Sequence, residues 1–79
     1  MRLNLKIGYP CVVVYRRPGD DRFTIEQGVV ESVQGSGMWA DKAFGRPAEG
    51  GKTVQGRAFE NHGQAREWIA EQIEPVLPG

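Results

Sequence analysis

Apolar and polar residues alternate at the start of the chain. Leu3, Leu5 and Ile7 share one parity, and the residues between them are polar. A period of two is typical of a β-strand with one face in the core and the other in solvent. Gly8–Pro10 interrupts the pattern, because proline cannot donate to a strand ladder. We therefore predict a first strand over Arg2–Ile7.

The next apolar run, Cys11–Arg16, shows no polar alternation and is rich in valine. Such a run predicts a strand that is covered on both faces. Arg17–Asp21 predicts a tight turn, because Pro18 fixes φ and the glycine after it accepts a positive φ. Alternation resumes over Phe23–Val33 and is interrupted at Gly28, which predicts one long bent strand or two shorter ones, with a β-bulge near Gly28.

No period is visible from Met38 to Gly51, and the second half of this stretch is rich in glycine and proline. We predict a long loop, of a kind that is often functional or mobile. Lys52–Phe59 predicts a last strand, weakened by Gly56.

The carboxyl-terminal pattern is helical. Asn61 is a favoured N-cap residue, and Gln64 three positions later completes a pattern like the capping box. Apolar residues then recur at helical spacing, and Pro75 ends the pattern. We predict a helix over Asn61–Glu74. The predicted fold class is α+β, a small antiparallel sheet of about four strands in the order β-β-β-β-α. The helix packs on one face of the sheet, and residues 1–79 form one domain.

Composition narrows the function classes. The 79 residues include ten basic and ten acidic ones, so the formal net charge is zero. This balance argues against direct nucleic-acid binding, which relies on clustered Lys and Arg. No apolar run approaches the length of a membrane span, and no secretory signal is visible. The lone Cys11 cannot form an internal disulfide, so we expect a reduced, cytoplasmic protein without membrane association.

The residues capable of catalysis or metal binding are few. One histidine and one cysteine cannot complete a zinc site. Cys11 and His62 would form a nucleophile–base pair only if they met in space, whereas a buried cysteine usually behaves as a small hydrophobe. Asp20 and Asp21 are more typical of a solvated turn than of an acid–base pair. We therefore predict no enzyme, with no catalytic residue, cofactor or metal.

Two features are candidate partner-binding surfaces. Glu67, Glu71 and Glu74 stand at i, i+4 and i+7 opposite the apolar side of the helix. This stripe is either a solvated face or a patch that docks on a basic protein surface. Met38 and Trp39 lie beside a glycine-rich turn, where they either form an interface or fold back over the sheet. We also include the turn acids named above, and the candidate partner-binding residues are Glu67, Glu71, Glu74, Met38, Trp39, Asp20 and Asp21.

A family resemblance extends this interpretation. The residues that carry it are Gly51–Val54, Arg57–Phe59, Asn61 and the helix containing Trp68. Together they resemble the strand-to-helix segment of small phage-encoded anti-CRISPR proteins that act on type I surveillance (Cascade) complexes. The match covers residues 51–73. It implies a single cytosolic domain without catalytic residues, which occupies a basic surface of the complex and blocks target-DNA binding.

Three hypotheses result. The first is a stoichiometric inhibitor that binds a type I CRISPR effector complex in the cytoplasm of an infected or lysogenic bacterial host, with a monomer favoured over a dimer. The second is a small non-catalytic β-sheet accessory module that dimerises through a strand edge or binds a host regulatory protein. The third, which the residue inventory disfavours, is an enzyme that uses Cys11.

Overall fold

A computed structural model describes residues 2–35, 38–49 and 54–73. Four antiparallel strands are followed by one helix, in the order β1 (Pro10–Tyr15), β2 (Thr24–Gln34), β3 (Lys42–Pro47), β4 (Gly56–Phe59) and α1 (His62–Ile73). Strand β1 pairs with both β2 and β4, and β3 pairs with the same two strands, so the sheet closes into a small barrel. The predicted α+β class and the count of four strands before one helix are confirmed, but the predicted strand over Arg2–Ile7 is not among them, β3 lies where a loop was predicted, and the sheet is a closed barrel.

Three glycines make room for the side chain at the centre of this barrel. Val13 of β1 is fully buried, with 0 % of its surface exposed. A Cβ atom built on Gly28 of β2 or Gly56 of β4 would lie 2.8 Å from a Val13 methyl, and one on Gly45 of β3 would lie 3.1 Å away. Each of the three other strands thus contributes a glycine opposite Val13. A barrel of four strands has a very narrow interior, and these glycines allow it to close.

The irregularity of β2 lies elsewhere than predicted. Gly28 keeps regular register, paired with Cys11 on one side and Pro47 on the other. The register shift falls between Val30 and Ser32, so Glu31 is the additional residue of a β-bulge. The predicted long strand with a bulge near Gly28 is thus one strand whose bulge lies three residues further on, and Gly28 itself is required for close packing inside the barrel.

The amino-terminal segment does not form the predicted strand over Arg2–Ile7. Leu3 makes one isolated bridge to Ala40, and the chain turns at Ile7–Gly8, where Tyr9 N donates to Lys6 O. This turn takes the segment off the sheet. The alternation still describes burial at two positions, because Leu3 and Leu5 are buried, but Ile7 is 66 % exposed.

The predicted loop over Met38–Gly51 contains strand β3. Its inward-facing positions are Ala43, Gly45 and Pro47, which are all buried. Because these residues are small or turn-forming, their burial leaves no conspicuous apolar alternation in the sequence. The last strand is shorter than the predicted Lys52–Phe59: β4 begins at Gly56, and residues 50–53 lie outside the described residues.

Helix α1 packs on the outside of the barrel, against β1 and β4. Ala65 is fully buried, and the Trp68 ring packs against Phe23 and Phe59 with centroid distances of 5.5 and 5.8 Å. The helix begins as predicted, with Asn61 Oδ1 accepting from Gln64 N at 2.9 Å. Its described end, Ile73, is one residue short of the predicted Asn61–Glu74.

Candidate functional site

Met38 and Trp39 are exposed on the surface between β2 and β3. Met38 is 84 % exposed and Trp39 is 44 % exposed. Both residues border an open cleft of about 350 Å³. Its other walls come from the amino-terminal segment and from the end of β2, including Leu5, Lys6 and Val33.

Backbone hydrogen bonds hold this cleft in place. Leu3 N donates to Ala40 O at 2.8 Å, and Ala40 N donates back to Leu3 O at 2.9 Å. Asp41 N donates to Gln34 O at 2.7 Å, which fixes the return of the chain into β3. The N-terminal segment and the 38–40 loop are thus joined through main-chain groups rather than through side chains.

The exposed large apolar side chains come from one stretch of the chain, and three of them line the cleft. Within the described part of the chain they all come from the amino-terminal segment, β2 and the loop after it, and they are Ile7, Tyr9, Val29, Val33, Met38 and Trp39. The amino-terminal segment runs beside β2: Gly8 N donates to Val30 O, and Val30 N donates to Tyr9 O, both at 2.9 Å. We call the three that line the cleft, Val33, Met38 and Trp39, the apolar surface. Exposed apolar groups gathered at one cleft mark an interaction site more often than scattered ones do.

The helix acids form a separate surface. Glu67 and Glu71 are both exposed and stand one helical turn apart, while Glu74 lies outside the described residues. Glu71 also lines a second cavity, together with Lys42 and Arg57. The predicted acidic stripe is therefore described at two of its three positions.

Asp20 and Asp21 lie far from the loop that carries Met38. They follow the turn after β1, in which Asp20 N donates to Arg17 O at 3.0 Å and Gly19 has a φ of 87°. This turn precedes the start of β2, whereas Met38 follows its end. An eleven-residue strand is about 36 Å long at the usual rise per residue. The structure therefore does not bring these two groups of candidate residues together.

A site that the sequence analysis missed surrounds Arg57. Its Cζ lies over the Phe44 ring at 5.5 Å from the centroid and over the Trp68 ring at 5.1 Å. Its Nε is buried, and none of the described residues offers it a hydrogen-bond acceptor. Burial lowers the pKa of Arg57 from its ordinary value. The available signal was the alternation in β4: Gly56 and Ala58 face inward, so Arg57 must face outward beside the helix.

The only cysteine is not placed for catalysis. Cys11 is 6 % exposed and lies inside the barrel, next to the position that a Cβ on Gly45 would take. Burial raises the pKa of its thiol to about 11, so the nucleophilic thiolate is scarce at neutral pH. His62, by contrast, is exposed at the start of α1. Among the described residues no group of three or more His, Cys, Asp or Glu is arranged to hold a metal ion.

No family model, curated protein or solved structure matches this chain. Within the described ranges, the helix is too short to cross a membrane.

Proposed function

We propose that this protein is a non-catalytic binding module whose apolar surface docks on a partner protein. The observation that carries the proposal is the exposure of Met38 and Trp39 at the mouth of a cleft that the exposed Val33 also lines. A chain this small has few large apolar side chains for its core, so three of them left exposed at one cleft forgo burial that docking on a partner would supply.

The chemistry of the cleft is that of a protein interface. Tryptophan and methionine are enriched at the centres of such interfaces, and polar residues form their rims. Here Asn4, Lys6 and Gln34 line the cleft around the apolar residues. A standard interface buries roughly 800 Å² on each partner, which is about one-seventh of the 5606 Å² surface of this chain. An area of that size needs the apolar surface and its polar rim rather than Trp39 alone.

A narrower version of the proposal names the partner. The resemblance of residues 51–73 to anti-CRISPR proteins makes a type I surveillance complex a candidate, with inhibition of target-DNA binding as the outcome. The exposed carboxylates of Glu67 and Glu71 favour this version, because they offer an acidic patch to a basic surface. The two surfaces are distinct, so the two versions are separable by experiment.

Site-specific photo-cross-linking tests both surfaces. One variant carries benzoylphenylalanine in place of Met38, and a matched variant carries it in place of Glu67, which is also exposed. Both are irradiated in cells that express the protein. Docking through the apolar surface should give one defined protein adduct from position 38 and none from position 67. Docking through the helix acids, as in the narrower version, should give an adduct from position 67. An adduct of twice the 8.8 kDa chain mass would identify the partner as a second copy.

A competition control separates docking from chance contact. Unlabelled protein is expected to abolish the adduct formed from position 38, whereas a double variant with Met38→Ser and Trp39→Ser is expected not to compete. An adduct from position 67 alone would contradict docking through the apolar surface. The narrower version is tested with a purified type I complex: added protein should prevent its binding to target DNA, and Glu67→Lys with Glu71→Lys should abolish that inhibition.

A further inference from the structure

The cavity beside Arg57 lies apart from the apolar surface and has a different chemistry. Its volume is about 330 Å³, and Leu3, Phe59 and Trp68 form its apolar wall. Its charged residues are Arg57, Lys42, Asp41 and Glu71. This volume is within the range of small-ligand sites, which are mostly apolar with a few polar groups that fix orientation.

Arg57 lacks the partners that a half-buried guanidinium normally has. No carboxylate of the described residues lies within ion-pair distance of it, although Asp41 and Glu71 line the same cavity. Its Nε is fully buried and has no acceptor among the residues that the structure describes. A buried donor without an acceptor is costly, so such a group in a folded protein requires an explanation. A ligand that draws the side chain toward the cavity and supplies the acceptor is one.

The two aromatic rings determine which part of the guanidinium remains available. Phe44 and Trp68 contact Arg57 through their ring faces, at 5.5 and 5.1 Å from Cζ. Cation–π contacts of this kind use the faces of the group and leave its in-plane N–H edge for hydrogen bonds. A planar carboxylate matches that edge with two parallel hydrogen bonds. Because Nε is closed off from solvent, the Arg57 side chain must turn toward the cavity for the edge that carries Nε to pair.

We propose that this cavity binds a carboxylate attached to a small apolar or aromatic body, with the carboxylate on Arg57 and Lys42 and the apolar part against Trp68. The lining carries two cations and two anions, which favours a monoanion over a doubly charged phosphate. The same chemistry is found in a free aryl or alkyl acid and in the carboxyl terminus of a peptide. The proposal is independent of docking through the apolar surface.

A titration followed by NMR of the whole protein tests this site. The probes are 3-phenylpropionate and the uncharged 3-phenylpropionamide. We expect the acid to shift the Arg57 Nε–H and Trp68 indole N–H resonances with a Kd on the order of 1 mM, and the amide to bind at least tenfold more weakly. No shift with the acid at about 20 mM, or equal shifts with acid and amide, would overturn the proposal.

Two peptides that end in phenylalanine, one with a free carboxyl terminus and one amidated, distinguish the sources. Tighter binding of the free-acid peptide than of 3-phenylpropionate would identify a chain end as the ligand. Equal or weaker binding would identify a free acid. Both results support a carboxylate site, and each assigns its source.

Variants test the roles of the two cations. Arg57→Lys keeps the charge but removes the planar fork, so we expect the acid to bind at least tenfold more weakly. Because Arg57 packs between helix and barrel, Lys42→Gln is the second variant: Lys42 is exposed, and its loss should weaken binding several-fold without unfolding the chain. Lys6→Gln, on the other cleft, is the matched control and should leave binding unchanged. Unchanged binding in Lys42→Gln and in a folded Arg57→Lys would overturn the assignment.

Discussion

Arg46 donates from Nε to Oε2 of Glu31 at 2.7 Å, and Glu31 is the additional residue of the β2 bulge. Gln55 donates from Nε2 to the other carboxylate oxygen at 3.3 Å. The bulge therefore places one carboxylate where it joins β2, β3 and the approach to β4. Bulges often re-aim a side chain in this way.

Replacing Glu31 is expected to reduce the loss of folding stability that the wild type shows as the pH falls into the acid range. The hydrogen bond from Arg46 holds the pKa of Glu31 below its ordinary value. The ionised form is thus favoured in the folded state, so its contribution is present above the unfolded pKa, ordinarily 4.5, and is lost as pH falls through the folded pKa. Urea unfolding of Glu31→Gln should show a lower midpoint than the wild type at pH 7. The difference should shrink as the pH falls below 4.5.

Glu67→Gln is the matched control for that experiment, because Glu67 is an exposed helix carboxylate. Its midpoint should follow the wild type across the pH range. A Glu31→Gln midpoint that stays parallel to the wild type down to low pH would show that the ion pair with Arg46 does not stabilise the fold.

The barrel interior should not tolerate a methyl group at Gly28. A Cβ there would lie 2.8 Å from Val13 Cγ2 and closer still to the backbone oxygen of Arg46. We expect Gly28→Ala to destabilise the protein by roughly 2–4 kcal/mol or to unfold it, as overpacking does at a rigid position. Circular dichroism and urea unfolding provide the measurement, with Gly63→Ala in α1 as a control that stays folded.

A double variant tests which clash dominates. Val13→Ala removes the methyl contact but leaves the carbonyl of Arg46 in place, so it should not rescue Gly28→Ala. Recovery of wild-type stability in the double variant would mean that the side chain of Val13, rather than the neighbouring strand, forbids a larger residue at Gly28.

Cys11 is expected to resist alkylation in the folded protein. Burial raises its pKa from 9.0 to about 11, which lowers the thiolate fraction about a hundredfold at neutral pH. Iodoacetamide at pH 8 should therefore react at least a hundredfold more slowly with the native chain than with the urea-unfolded chain. Equal rates would show that the barrel opens readily around this residue.

The same shift predicts a loss of stability in alkaline solution. The thiol ionises first in the unfolded chain, so unfolding is increasingly favoured as pH rises from 9.0 toward about 11. Cys11→Ala should lack this part of the pH dependence. Burial also raises the pKa of Tyr15, which causes a similar loss of stability at high pH. Because the wild type and Cys11→Ala both contain Tyr15, this loss cancels when the two are compared.

The start of α1 should depend on Asn61. Its Oδ1 accepts from Gln64 N at 2.9 Å, and the Gln64 side chain accepts from Glu60 N at 2.8 Å. We expect Asn61→Ala to cost about 1 kcal/mol of unfolding free energy and Asn61→Asp to be nearly neutral, because aspartate caps equally well. Thermal unfolding by circular dichroism distinguishes the two. Equal losses would show that the cap bond does not stabilise the fold.

The sequence predicted elements well where burial coincides with large apolar residues, or where a local cap marks an end. The valine run of β1 and the cap at Asn61 are such cases. Strand β3 was not predicted, because its inward positions, Ala43, Gly45 and Pro47, are small or turn-forming. That the sheet closes into a barrel depends on the pairing of β1 with β4, which no local pattern encodes.

Part of the candidate site was predictable in the same way. The exposure of Met38 and Trp39 was one of two interpretations of a tryptophan next to a glycine-rich turn. The environment of Arg57 required knowing that β4 lies beside both β3 and α1. The rings that contact it come from residues 44 and 68, on two other elements, and sequence spacing does not relate them to position 57.

Barrel closure also determines the order in which this chain can fold. The hairpin of β1 and β2 joins residues that are near in sequence. The closing pair Val12–Phe59 joins residues that are far apart in sequence. Loop-closure entropy must be overcome before that long-range pair contributes any stability. The last seam, between β3 and β4, has only the pairs Phe44–Arg57 and Gly45–Gly56 among the described residues. Folding should therefore be slow for so short a chain, with the hairpin formed early and this seam the first to open on unfolding.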